Sequence, residues 1–212
     1  FSVDSDKVAD AIRGAKALGI QGMNVTVPHK CEVIRYLDEI DPLAEKIGAV
    51  NTIVTTENGY KGYNTDILGL YRAMCSEGIA LKGEQVVLLG AGGAARAVAF
   101  LCAEKGAKKV YLLNRSIEKA QAVAAEVNRA FAGEVICPMI ISDYQKLPEE
   151  KLLAIQCTSV GLHPDTDRAV IEDETFYQKI HTGYDLIYKP AETKFMKYVT
   201  EKGDTFKSVA AK

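Results

Sequence analysis

A chain of 212 residues can form one large domain or two small ones, and 48% hydrophobic with 25% charged residues is the make-up of an ordinary globular protein. A formal net charge of -2, with no Lys/Arg block, excludes the electrostatic footprint of a nucleic-acid binder. Cys31, Cys75, Cys102, Cys137 and Cys157 are odd in number and form no C-x-x-C pair, which argues against a disulfide framework or a zinc site and for a reducing cytoplasm.

The chain opens on Phe1 without an initiator methionine and runs straight into what reads as the end of a strand, so it is expected to be a partial chain. Val8, Ala11, Ile12 and Ala15 share one face and predict a helix from about Asp6 to Leu18. Met23 to Val27 reads as a strand, stopped by Pro28, which cannot donate to a sheet ladder. Beyond it "KCEVIRYLDEI" places Val33, Ile34, Leu37 and Ile40 at helical spacing and predicts a second helix. Lys30 thus stands where a strand hands over to a helix, a place from which a side chain can reach into a cleft; taken alone, this stretch reads as a solvated lysine in a first turn. Ile53 to Thr55 and Tyr60 to Tyr63 read as a hairpin around "ENG", whose glycine supplies a positive φ. Leu68, Leu70, Tyr71 and Met74 predict a helix from Ile67, stopped at Gly78, joining two lobes.

From Gln85 the pattern changes. "QVVLLGAGGAARAVAFLCAEKGAKKVYLLNRS" reads as a buried strand, a glycine turn, a helix capped by Gly106 and a second buried strand. Continuous apolar strands imply a parallel sheet covered on both faces. The apolar run from Val86 to Ala103 is broken by glycines and Arg96 and is no membrane span; no signal peptide is visible. A helix over "SIEKAQAVAAEVNRAF" follows, then strands near Glu134 to Ile136, Leu153 to Gln156 and Gly183 to Leu186. The alternation predicts a doubly wound α/β domain. The expected division is a substrate lobe over 1–71, a Rossmann-like nucleotide lobe over 72–189, and a C-terminal helix over 190–212 returning toward the first lobe.

"GAGGAA" fits G-x-G-x-x-A: Gly90 for the tight turn, Gly92 for close approach of a pyrophosphate, Ala95 for helix packing. The helix behind it would aim free N–H groups and a partial positive charge at phosphates. A carboxylate at the end of the second strand would accept from a ribose 2′-hydroxyl and favour NAD. Asn114 and Arg115 offer donors instead, and Arg115 can pair with a 2′-phosphate, with Lys119 one turn on; NADP is the expected cofactor. Ser116 also reads as the N-cap of the following helix. With a nicotinamide bound, an alcohol or carbonyl substrate needs a group that moves a proton. Lys30 and Asp66 are the candidates, since a lysine carries its proton at neutral pH and can donate it to a forming alkoxide. Asp66 reads equally as an N-cap, and Asn64 or Thr65 as turn residues.

The motifs "GMNVTVPHK", "AVNTIV", "GYNTDILG", "LLGAGGAARA", "LLNRSIEKA", "CTSVGLHP" and "YDLIYKPAETKF", in that order, closely resemble the shikimate dehydrogenase family over Phe1 to Met196. The resemblance implies NADPH-dependent reduction of 3-dehydroshikimate to shikimate in aromatic amino-acid biosynthesis, in the cytoplasm, by a monomer or homodimer. It maps the catalytic pair onto Lys30 and Asp66, and the substrate-binding groups onto Thr26, Asn51, Asp66 and Tyr188. NADP is assigned to Gly90, Ala91, Gly92, Gly93, Ala94, Asn114, Arg115, Ser116, Lys119 and Thr158. A site of this kind, built to hydrogen-bond a polyhydroxylated ring, rejects analogues lacking the hydroxyls. His29 is expected to be a bystander and Lys189 a solvated charge. Two family segments that contact the substrate are missing from these 212 residues: an upstream S-x-S-P and a late G-x-x-M-L-x-x-Q. Cys157 stands where the family commonly has a small residue, and is expected to mark a packing change. The competing readings are a quinate/shikimate dehydrogenase of broader specificity and a non-catalytic sensor of shikimate-like ligands.

Overall fold

The computed structural model describes residues 1–26, 28–203 and the backbone of 208–210. The chain divides into two compact units, residues 1–69 and 70–212.

In the first unit a short 3₁₀ turn, Ser5–Lys7, leads into helix α1, Val8–Ala17. Val8, Ile12 and Ala15 are its buried stripe, whereas Ala11, expected on the same face, is exposed. Four strands follow: β1 (Gly22–Asn24), β2 (Glu39–Ile40), β3 (Thr52–Thr56) and β4 (Gly59–Tyr63), in the spatial order β1-β3-β4-β2. The first strand is shorter than expected, and Val27 lies outside the described residues.

The helix expected after Lys30 is not there. Glu32–Tyr36 makes only 3₁₀ turns, Leu37 is extended, and Ile40 lies in β2, pairing in parallel with Gly62 of β4. The competing demand is Asp38, whose carboxylate accepts from the Tyr60 N–H at 2.7 Å and from Lys16 Nζ at 2.5 Å, holding the chain extended beside the hairpin. These bonds, Lys16 first, hold the Asp38 carboxyl below its ordinary range. Val33, Ile34, Leu37 and Ile40 still reach one core, packing with Val8, Ile12, Val50, Ile53 and Tyr60. The periodicity therefore reported burial correctly and conformation wrongly.

Helix α2 (Pro42–Ile47) has its signals in place: Asp41 accepts from the Leu43 and Ala44 N–H groups, proline stands in the first turn, and Gly48 closes it at φ +67°. In the β3–β4 hairpin Gly59 has φ +115°, and a Cβ there would run into Asp38, so the turn admits only glycine. Helix α3 (Thr65–Ser76) begins two residues earlier than expected, because the Asn64 side chain accepts from the Ile67 N–H at 3.4 Å and caps it.

The second unit is a six-stranded sheet whose pairings are all parallel, in the order β10-β9-β8-β5-β6-β7: a doubly wound α/β fold. Its strands are β5 (Gln85–Leu89), β6 (Lys109–Asn114), β7 (Ile136–Ile140), β8 (Leu152–Gln156), β9 (Ile180–Asp185) and β10 (Ser208–Ala210). Helices α4 (Gly93–Glu104), α5 (Ile117–Ala130), α6 (Glu174–Tyr177) and α7 (Lys194–Lys202) complete it. β8 is buried at all five positions, as a strand covered on both faces must be. β7 starts where the expected strand ends; it accommodates Pro138 because it is the outer strand and needs no further N–H donor. β9 begins three residues before its expected start, and β10 was not anticipated. Phe176, Tyr177, Phe195 and Val199 pack on β8 and β9 residues, and a Cβ on Gly183 would come within 2.8 Å of Val199, so glycine lets α7 lie close on β9.

Asp185, at the end of β9, is fully buried; it accepts from the Ile187 N–H at 2.9 Å and from Thr193 Oγ1 at 2.6 Å, while Thr193 caps α7. Burial outweighs those two bonds and pushes its carboxyl up to about 6 from 3.8. A folded state that binds this proton more tightly than the unfolded chain gains stability below pH 3.8 and loses it as pH rises through 6. The whole swing is about 3 kcal/mol. Urea midpoints of wild type and Asp185→Asn between pH 4 and 7 should therefore diverge, with only the wild type losing this increment on the alkaline side. Parallel curves would show that the group does not titrate in this window.

Candidate functional site

Lys30 and Asp66, far apart in sequence, meet in the first unit: Lys30 Nζ donates to Asp66 Oδ2 at 2.7 Å. The Lys30 carbonyl accepts from the Val50 N–H at 2.8 Å, fixing its turn against the residue before Asn51. Asp66 stands in the first turn of α3, where the helix dipole favours a carboxylate. The side chains are 28% and 57% exposed, so the pair is neither sealed in the core nor freely solvated.

Asn51 organises the pair. It is buried, with Nδ2 donating to Asp66 Oδ1 at 2.7 Å and to Thr65 Oγ1 at 3.1 Å. Its Oδ1 accepts from the Thr65 N–H at 2.9 Å and from Thr52 Oγ1 at 3.0 Å. One carboxylate oxygen is thus held by a buried amide and the other by the ammonium, which keeps further N–H bonds to offer. Such an arrangement can deliver a proton to an oxygen and recover it through the neighbouring carboxylate. Thr65 and Thr52, treated above as turn and strand residues, are the supporting shell; only the closing of β3 on α3 makes them visible. Thr26 is exposed and takes no part in this network, its carbonyl accepting from the His29 N–H at 3.0 Å. The His29 ring bonds the Val3 carbonyl at 2.8 Å. Tyr188 belongs to the second unit and is 76% exposed.

The glycine turn of the second unit joins β5 to α4. Gly90 has φ +109°, and a Cβ there would meet Thr158 Cγ2 at 2.9 Å. A Cβ on Gly92 or Gly93 would meet nothing within 4 Å, so the backbone at the start of α4 faces open space. Gly92 is the N-cap and brings no side chain, leaving the first amides of α4 to a ligand. Arg96 fixes α4 against α5 by a two-pronged bond to Glu126 and lies 5.1 Å from the Phe100 ring centroid. Thr158 buttresses Gly90 from the neighbouring strand end, its Oγ1 accepting from the Val160 N–H at 3.1 Å.

At the end of β6, Asn114 Nδ2 donates to the Ser116 carbonyl at 2.9 Å, and Ser116 caps α5 by accepting from the Lys119 N–H at 3.4 Å. Arg115 and Lys119 are exposed. An open, positively polarised helix start, a turn no side chain can fill and two cations at the next strand end fit a dinucleotide that carries an extra phosphate. Cys157 adds no reactive thiol, since desolvation holds its proton well above the ordinary range.

The sequence profile described as the shikimate dehydrogenase substrate binding domain matches residues 1–53, and that described as shikimate / quinate 5-dehydrogenase matches 73–159. A shikimate dehydrogenase (NADP(+)) of Caldanaerobacter subterraneus subsp. tengcongensis is 40% identical over 204 residues, covering 96% of this chain and 71% of that protein. A shikimate dehydrogenase solved in complex with NADP+ superposes with a TM-score of 0.81 at 37% identity, over 100% of this chain and 72% of its own. The shikimate 5-dehydrogenase of Listeria monocytogenes, solved with shikimate and NAD, gives 0.89 at 27% identity over 100% and 74%. Identity at this level, sustained across both units, shows that the chain belongs to the shikimate dehydrogenase family.

Proposed function

We propose that this protein catalyses the NADPH-dependent reduction of 3-dehydroshikimate to shikimate, with Lys30 as proton donor and Asp66 as its partner. The observation that carries this reading is the 2.7 Å contact between Lys30 Nζ and Asp66 Oδ2, held by the buried Asn51, in a chain of this family. NADPH, when bound, supplies the hydride to the ring carbonyl carbon. Lys30 Nζ donates its proton to the carbonyl oxygen as negative charge develops there, and the resulting amine is reprotonated from solvent by way of Asp66. Asp66 also orients the ammonium, and Asn51 fixes Asp66. Thr26, Asn51, Asp66 and Tyr188 hold the ring hydroxyls and carboxylate. The glycine turn from Gly90 to Ala94 takes the pyrophosphate, with Thr158 beneath it, and Asn114, Arg115, Ser116 and Lys119 take the 2′-phosphate.

Residues 1–71 serve as the substrate lobe and 72–189 as the nucleotide lobe. We place the reaction in the cytoplasm, in keeping with the free thiols of Cys31, Cys75, Cys102, Cys137 and Cys157. Among the described residues no helix is long and apolar enough to cross a membrane.

The test is oxidation of shikimate and of quinate in parallel, each with NADP+ and with NAD+, followed by the absorbance of the reduced nicotinamide. Turnover with shikimate and NADP+ well above the other pairs is the expected result. Comparable rates with quinate would assign the broader dehydrogenase. No turnover, with shikimate still raising the melting temperature, would make the protein a sensor.

A further inference from the structure

Glu118, exposed in the first turn of α5, accepts a hydrogen bond from Ser116 Oγ at 2.8 Å. Ser116 has a single hydroxyl proton, and here it goes to Glu118 while the hydroxyl oxygen caps the helix through the Lys119 N–H. A 2′-phosphate taken by Ser116 needs that same proton. It would also come to rest beside a carboxylate flanked by the exposed Arg115 and Lys119. Asn114 Nδ2 donates to the Ser116 carbonyl and so does not take this proton through that bond.

We infer that Glu118 is a specificity-determining residue for the cofactor. It opposes the 2′-phosphate, by holding the Ser116 proton and by charge repulsion, and accepts from the 2′-hydroxyl of NAD, so that it narrows the preference that Arg115 and Lys119 create. The inference rests on the proposed assignment of NADP to this strand end. Its physics is simple: the carboxylate is an acceptor, which suits a hydroxyl donor and disfavours a dianionic acceptor. The Ser116 bond also lowers the proton affinity of Glu118, favouring its carboxylate form.

The test is isothermal titration of the whole protein with NADP+ and with NAD+, for wild type, Glu118→Gln and Glu118→Ala, with a melting curve to confirm folding. Both variants should bind NADP+ more tightly by about fivefold, the scale of repulsion between a carboxylate and a doubly charged phosphate several ångströms apart in water. NAD+ should bind about tenfold more weakly in Glu118→Ala, for the loss of one hydrogen bond to a charged acceptor, and less so in Glu118→Gln, whose amide oxygen still accepts. The two cofactors moving in opposite directions is the signature, because a merely structural role at the start of α5 would move both together. Wild type binding NADP+ with an unchanged NADP+/NAD+ ratio in both variants would overturn the role of Glu118 and leave the cofactor assignment standing. Wild type binding neither cofactor would overturn both.

Discussion

Replacing Lys30 by alanine should lower turnover by about 10²–10⁴-fold, the usual contribution of a positioned general acid. The variant should fold, because Lys30 lies at the unit's surface and its backbone contact with Val50 does not depend on the side chain. Affinity for NADP+, titrated separately, should match wild type, as the residues proposed to hold the dinucleotide belong to the other unit. The loss should fall on kcat, since the oxygen becomes an alkoxide only as the hydride arrives. Asp66→Asn gives the complementary result: the ammonium keeps a neutral acceptor but loses its counter-charge, so turnover should fall less than in Lys30→Ala. If the Lys30→Ala rate stayed within a few-fold of wild type, proton donation would have to be assigned elsewhere.

Gly90→Ala should weaken NADP+ binding at least tenfold and lower stability as well. The backbone at φ +109° is strained for any L side chain, at a cost of about 1–3 kcal/mol, and the new methyl would press on Thr158 Cγ2 from 2.9 Å. Relief requires moving the loop after β8 or the turn itself, which leads directly into α4. Gly92→Ala is the informative contrast. Its φ is -85° and its Cβ would touch no protein atom within 4 Å, so stability should barely change. Its NADP+ affinity should nonetheless fall about as far, because the methyl would occupy the space where the pyrophosphate comes up to the backbone. Melting temperatures and titration of both variants separate the two effects. Equal melting losses, or full affinity in Gly92→Ala, would show that the turn serves packing alone.

Much of the site was legible in the sequence, for identifiable reasons. The glycine turn could be read because only glycine satisfies a positive φ beside a close neighbour, and because a buried strand before it and a helix after it set its context. The cap at Ser116 could be read because a cap is a contact between residues a few positions apart. The parallel sheet followed from strands apolar on both faces. Lys30 and Asp66 could be nominated by residue type, and the family resemblance singled them out, but spacing alone could not say that they touch.

What the sequence determined by itself is local: turn chemistry, caps, the apolar runs and the residue types able to move a proton or face a phosphate. What only the tertiary structure decided is everything that depends on partners distant along the chain. The run after Lys30 has helical periodicity, yet it became 3₁₀ turns and a short strand because Asp38 found Lys16 and the Tyr60 amide. Pro138 sits within a strand because that strand is the outermost of its sheet. Asn51 reads as one polar residue among several until β3 and α3 close on it, when its amide comes to hold Asp66. Local propensities are worth tenths of a kcal/mol per residue, whereas a buried charge or hydrogen bond left unpaired costs whole ones, so long-range pairing overrules the local preference wherever the two disagree.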